Sequence, residues 1–312
     1  MTSFPYRDLD ACLLCASRDL KPQPFAYEFE GVRFPGVKCG RCGFVFLRRQ
    51  PVGEGFTRMY DAKYFESDYH CGHEDKPYFA AEHGESGAAD LLLSWIERDV
   101  PRGRILEVGG AGGYFLNAAR KRGWQTAGVE ISDDAARFAR DSLGLDVRTG
   151  TLESVAWPAG SFEAAYMGDV LEHVPEPMSD LRRLYDILRP GGALVIVGPI
   201  TIHSLDRQLG LMALATLGRT KILRQAPYHL SEFVPRTLRF ALASAGFRVT
   251  RESQSKIPPT LRNVRKRPPL EFLAKGVLDV PNWIVTRLSG RLGDRIAVLA
   301  RKPVLATSDT SP

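Results

Sequence analysis

Arg104-Ile-Leu-Glu-Val-Gly-Gly-Ala-Gly-Gly-Tyr-Phe-Leu116 is the stretch from which the rest of the chain can be read. Ile105, Leu106 and Val108 make an apolar run that carries one acid, Glu107. It ends on four glycines in five positions, 109 to 113, after which an apolar helix pattern begins. A strand that turns directly into a helix needs residues without a Cβ, so that the backbone can turn tightly and a ligand can lie against it. The helix start then offers unpaired N–H groups to that ligand. The next apolar run, Trp124–Val129, ends at Glu130, 17 residues after Gly113. A carboxylate there can accept from the two hydroxyls of a ribose.

Working outward, strand and helix patterns alternate, which predicts an α/β fold with a parallel sheet. A helix near Ala88–Arg98 precedes strand Arg104–Val108, and a helix over Gly113–Lys121 leads to the second strand. Ser132 caps a helix over Asp133–Ser142, followed by strand Leu145–Thr149. Ala164–Met167 is the fourth strand, and Asp169-Val-Leu-Glu-His173-Val174 follows it. A helix over Glu176–Leu188 precedes Pro190-Gly-Gly and the fifth strand, Ala193–Val197. Helix Arg236–Ala245 and strand Phe247–Arg251 come next, and Asp294–Lys302 is a last strand.

Taken together, these motifs resemble the class I S-adenosylmethionine-dependent methyltransferases over roughly residues 87–250, with the last strand near Asp294–Lys302. The first motif of that family, Glu-x-Gly-x-Gly-x-Gly, is matched at Glu107, Gly109 and Gly113 and departs at its middle glycine, which is Ala111. Gly110 and Gly112 keep the loop permissive. A nicotinamide dehydrogenase is the rival, but Gly110-Ala-Gly112 lacks its third glycine at Leu116, and Leu-Arg-Pro-Gly-Gly is foreign to it. The resemblance implies a Rossmann-like seven-stranded sheet whose last strand is antiparallel. It also implies that Glu130 holds the cofactor ribose, that Ile131 and Leu152 sandwich the adenine, and that Glu107 orients the methionine end. Gly109, Gly110, Ala111, Gly113, Thr151 and Asp169 would complete the pocket.

Methyl transfer to an alcohol or phenol needs a group to take the proton. His173 is the first candidate, with a pKa near ~6.5 when unperturbed, and a structural role capping its loop is the alternative. His229, in Pro227-Tyr-His-Leu-Ser-Glu-Phe233, is the second; that stretch resembles the Pro-x-His-Leu-x-x-Phe segment of ubiquinone-pathway-like methyltransferases. Asp169-x-x-Glu172-His173 is also similar to a metal-assisting motif of ubiquinone-biosynthesis O-methyltransferases. His70-Cys71-Gly72-His73 lacks a fourth partner at a recognisable spacing and reads as a loop.

Cys12-Leu-Leu-Cys15 and Cys39-Gly-Arg-Cys42 have the spacing of a Cys₄ zinc ribbon, in which two hooks complete a tetrahedron around Zn²⁺. All four ligands come from protein, so the metal would be structural. Disulfides are the alternative, and the polar Met1–Asp10 does not read as the secretion signal that would favour them. The expected organisation is a ribbon over 1–48, a linker and pocket cover over 49–86, and the catalytic domain over 87–304. Helical insertions are expected near 205–225 and 252–293, and a disordered tail over 305–312. The linker, with Cys42-Gly-Phe-Val-Phe46 and Tyr60-x-x-x-Tyr64-Phe65, resembles stretches found ahead of methyltransferase domains in polysaccharide and secondary-metabolite pathways.

The net charge of +6 is concentrated near the end: residues 251–312 hold 12 Lys/Arg against 5 Asp/Glu. Arg262, Arg265, Lys266 and Arg267 lead it, and they read either as a solvated charge run or as a contact for phosphates or an anionic membrane surface. The expectation is a cytoplasmic protein with peripheral membrane contact through this region and no nucleic-acid partner, since no basic module is interleaved with aromatics. The function expected is O-methylation of a small molecule or a glycan or lipid-linked precursor. C-methylation of a keto-sugar and a non-catalytic cofactor- or partner-binding module are the alternatives. Nucleic-acid methylation ranks last, because the Asn/Asp-Pro-Pro-Tyr motif is missing.

Overall fold

The turn read from residues 104–116 lies at the middle of the larger of two main sheets, in a computed structural model that describes residues 4–59, 87–256 and 269–304. Tyr60, Tyr64, Phe65, the His70–His73 cluster, the basic run Arg262–Arg267 and the tail 305–312 lie outside the described residues.

The chain begins with β1 (Tyr6–Asp8), β2 (Leu20–Phe29), β3 (Val32–Cys39), β4 (Val45–Leu47), β5 (Arg49–Pro51) and α1 (Glu54–Met59). The β2–β3 hairpin turns on Glu30 and Gly31, both at positive φ, the backbone that a two-residue hairpin loop requires. Then follow α2 (Gly87–Asp99), β6 (Arg104–Val108), α3 (Tyr114–Lys121), β7 (Gln125–Glu130), α4 (Asp133–Leu143), β8 (Val147–Thr149) and β9 (Phe162–Gly168). After a short 3₁₀ turn at Leu171–His173 come α5 (Pro177–Ile187), β10 (Leu188–Pro199), α6 (Leu205–Thr216), β11 (Lys221–Leu223) and β12 (Ser231–Glu232). The chain closes with α7 (Pro235–Ser244), β13 (Arg248–Ser255), α8 (Pro269–Ser289) and β14 (Arg295–Arg301).

The seven-stranded sheet has the order β13-β14-β10-β9-β6-β7-β8. β14 pairs antiparallel with both neighbours, while the other pairs are parallel. Its central strands are apolar on both faces because helices cover each side: Ile105, Leu106, Ala164, Leu194 and Val195 are all fully buried. Helix ends follow local chemistry. Ser132 Oγ accepts from the Ala135 amide at 3.3 Å, and Gly144 stops the same helix in the left-handed region. Pro177 and Pro235 each sit in a first helical turn, where the missing N–H costs nothing.

Between β6 and β9 the strand order reverses, so the loops that leave them diverge and open a crevice. That position fixes where a ligand would lie.

One expectation changes. The ribbon over 1–48 is not a bead on a linker. β11 and β12, from residues 221–232, complete its sheet in the order β11-β2-β3-β4-β12. Its cysteines and Phe44 share one apolar core with Val108, Leu152, Met167 and Phe233. α8 runs through Pro281. The 205–225 insertion is a helix followed by an edge strand of the N-terminal sheet.

Candidate cofactor cleft, histidine cluster and metal centre

A cleft of about 550 Å³ opens at the carboxyl ends of β6, β7 and β9, within the usual range for small-molecule sites. Gly109, Ala111, Glu130, Ile131, Thr151, Leu152, Asp169 and His173 all line it. Glu107, Gly110, Gly113 and His229 are not among its lining residues. Phe56 and Gly53, from the N-terminal unit, also face the cleft, as do Glu176, Ser179 and Asp180 at the start of α5. Gly53 and Phe56 fall in the 49–86 stretch expected to cover the pocket, whereas Glu176, Ser179 and Asp180 carried no signal, since α5 reads as an ordinary helix.

The loop conformation explains its composition. Gly109, Ala111 and Gly113 have φ of 67°, 44° and 76°, a region that disfavours a Cβ. A Cβ on Gly109 would also stand 2.3 Å from Val170 Cγ2, closing the loop after β6 onto the loop after β9. Ala111 accepts this strained backbone and directs its amide to Glu130 Oε2 at 2.8 Å. The Ser132 amide donates to Glu130 Oε1, also at 2.8 Å. Burial pushes the Glu130 carboxyl up, and the amides of Ser132, Ala111 and Ile131 oppose that.

Glu107 is buried, and among the described residues its Oε2 has no hydrogen-bond partner. Burial pushes its carboxyl up to about 8, with the Leu116 amide pulling it back and the Glu130 charge adding to the rise. A buried carboxyl with one oxygen unsatisfied beside a glycine loop fits a cationic ligand group. Ile131, apolar and 46% exposed in the cleft wall, fits a flat apolar ring laid on it. On both counts the residues fit S-adenosylmethionine.

Beyond β9 a second cluster forms. Asp169 (φ 54°) receives Arg295 Nη2 on both carboxylate oxygens at 2.7 Å. Arg295, on β14, was not singled out from sequence, because nothing local links it to a residue 126 positions earlier. His173 Nδ1 donates to the Tyr228 carbonyl at 2.8 Å, which fixes the neutral tautomer with its lone pair on Nε2. Glu172 Oε1 lies 3.7 Å from that Nε2. The His229 ring stands edge-on to His173 with centroids 4.9 Å apart. Ligand atoms of Glu172, His173 and His229 lie within 4.8 Å of one another. The trio expected from sequence was Asp169, Glu172 and His173; here Asp169 is engaged by Arg295 and His229 takes its place.

Burial governs the titration of this cluster. It lowers His173, against the Tyr228 carbonyl and the Asp169 charge, and drops His229 to about 3. It raises Glu172 well above the carboxylate range and Glu232 to about 7.

In the N-terminal unit, the Sγ atoms of Cys12, Cys15, Cys39 and Cys42 lie within 4.8 Å of one another. Cys12–Cys42 and Cys15–Cys39 are 3.5 and 3.6 Å apart, and all four are free thiols, so disulfides are not formed. A tetrahedron with Zn–S bonds of 2.3 Å has edges of about 3.8 Å. The two hooks share one backbone pattern. The Ala16 and Gly43 amides donate to the Cys12 and Cys39 carbonyls at 2.9 Å, each from a residue at positive φ. Burial raises Cys12 and lifts Cys42 to about 11, so a bound cation would have to draw these thiols into the thiolate form.

Residues 80–252, more than half of the chain, match the family described as "Methyltransferase domain". The chain belongs to the methyltransferase domain family, and with its sheet order the core is of the class I S-adenosylmethionine-dependent kind. It is 31% identical over 144 residues to a ubiquinone biosynthesis O-methyltransferase of Xanthomonas campestris pv. campestris, covering 43% of this chain and 58% of that protein. The namesake enzyme of Xanthomonas axonopodis pv. citri is 29% identical over 186 residues, covering 56% and 75%. The chain thus spans little more than half the length of the first of these relatives. A solved S-adenosylmethionine-dependent methyltransferase from Archaeoglobus fulgidus is 20% identical, with a TM-score of 0.47 over 69% of this chain and 93% of that one. At that distance it adds nothing about function.

Proposed function

We propose that this protein transfers a methyl group from S-adenosylmethionine to a hydroxyl of a small-molecule or lipid- or glycan-linked acceptor, with His173 as the base. S-adenosylmethionine, when bound, supplies an electrophilic methyl on a sulfonium. Glu130 has its carboxylate oriented by the two loop amides and keeps lone pairs for the ribose hydroxyls. Ile131 and Leu152 flank the adenine, and Glu107 balances the charge of the methionine end. Phe56 helps exclude water from the mouth.

The observation that carries the base assignment is the His173 ring itself. It stands in the cleft wall, its Nδ1 proton is held by the Tyr228 carbonyl, and burial keeps it neutral. In that tautomer Nε2 carries the ring's lone pair, the form that a base for a hydroxyl proton requires. Relatives named as O-methyltransferases support an oxygen acceptor. His229 orients the His173 ring edge-on without taking part in proton transfer. His173→Ala is expected to lower turnover roughly 10²–10⁴-fold while leaving cofactor affinity unchanged. Near-normal turnover would remove the base role.

One observation favours a second reading. The Glu172, His173 and His229 ligand atoms converge, and Glu172 Oε1 has no hydrogen-bond partner among the described residues. A divalent cation there would polarise the acceptor oxygen directly. Loss of turnover in chelator, restored by added Mg²⁺ or Zn²⁺, would favour it over the simple base. We also propose that the four cysteines hold one structural Zn²⁺.

A further inference from the structure

We propose that α6 and α8 form a docking surface that lies in the plane of an anionic phospholipid bilayer. Their polarity is turned inside out. On α8, Asp279, Asn282 and Thr286 share the face that points into the protein and are 3%, 2% and 3% exposed. Val277, Val280, Ile284 and Leu288, at i, i+3, i+7 and i+11, form a ridge on the opposite face. That ridge faces outward, with Val277 65% and Leu288 82% exposed.

The inward face ends on a buried ion cluster. Lys256 Nζ lies 3.6 Å from Asp206 and 3.5 Å from both Asp279 and Asp294, with no side-chain exposure of its own. These contacts tie α6, α8 and the β13–β14 edge together and fix which side of each helix faces out. α6 packs on α8. It presents its own row, Leu205, Leu209 and Met212, at 38%, 42% and 65% exposure. No helix among the described residues is long and apolar enough to cross a membrane, so the surface would lie on a bilayer without spanning it.

The charge beside this surface selects the occupant. Arg219 and Lys221, directly after α6, and Arg287 on α8 are exposed, and residues 217–225 contain no acid. A second copy docked by the same face would bring its cations against these, a like-charge arrangement that opposes pairing. An anionic headgroup layer would meet apolar side chains and cations together.

Co-sedimentation of the full chain with phosphatidylcholine vesicles, with and without phosphatidylglycerol, tests this. The expected result is binding to the phosphatidylglycerol vesicles, weak binding to phosphatidylcholine alone, and weakening by salt. Val277→Glu with Leu288→Glu should lower vesicle binding at least ~10-fold, since each apolar side chain loses its burial. Arg219→Gln and Lys221→Gln should each cost roughly 5-fold. S-adenosylmethionine affinity and thermal midpoint, unchanged in these surface variants, report that the fold is intact. Wild-type protein left in the supernatant with anionic vesicles would overturn the proposal, as would equal sedimentation of the double glutamate variant. A vesicle-independent dimer that Leu288→Glu converts to monomer would assign the face to a second copy instead.

Discussion

The two halves of the cleft hold their acids in opposite ways. On the β6–β7 side, Glu130 receives two backbone amides, from Ala111 and Ser132. On the β9 side, Asp169 is held by a distant arginine, while Glu172 is buried with one oxygen lacking a hydrogen-bond partner among the described residues. Amides cannot change charge or swing away, so the first half is a fixed holder. The second is built from side chains that titrate, with His173 and His229 lowered and Glu172 and Glu232 raised by the same burial. In the proposed function, binding and chemistry fall to these two different physical devices.

The N-terminal unit extends the contrast, because its framework would rest on a metal. Cys39→Ser with Cys42→Ser should remove one zinc per chain by elemental analysis and produce the largest loss of order. Structural zinc sites contribute on the order of 10 kcal/mol or more. Because Phe44 packs on Phe233 at 4.9 Å, the damage should reach the cleft and lower cofactor affinity as well. A metal-free wild type with an unchanged melting temperature would contradict this.

A pH series sharpens the difference between the halves. Burial holds the His173 pKa below its usual 6.5. Lowering a base's pKa keeps its neutral form present at lower pH, so activity should persist through 6.5 and decline only below it. A decline centred at or above 6.5 would point to a solvent-exposed base. The smallest effect is expected at the loop. Ala111 at φ 44° carries strain of about 1–2 kcal/mol. Ala111→Gly relieves it against an entropy cost of roughly 0.4–1 kcal/mol. Melting should rise by a few degrees at most, and a fall would mean that the methyl packs usefully.

How much could be read from the chain follows the same division. The glycines, Glu130 and Ser132 belong to one strand–turn–helix and its neighbour, so spacing exposed them, while the seven-stranded sheet and the role of Glu107 were what the family resemblance implied. Cys12, Cys15, Cys39 and Cys42 were legible for the same reason, each hook being local. Arg295 lies 126 positions from Asp169, and Tyr228 lies 55 from His173. No periodicity records such contacts. The pairing of β11 and β12 with the N-terminal sheet was hidden as well, because strands of three and two residues are too short to carry alternation. Which way the apolar stripe of the 252–293 insertion faces was not legible, since such a stripe does not record what covers it.

The central claim is that the fixed half of the cleft binds S-adenosylmethionine through Glu130, and calorimetry on the purified protein and Glu130→Ala tests it without knowledge of the acceptor. The prediction is saturable binding by the wild type and a loss of about 1.5–3 kcal/mol in the variant, the value of charge-assisted hydrogen bonds. Absence of binding by the wild type, or equal affinity in the two proteins, would contradict it.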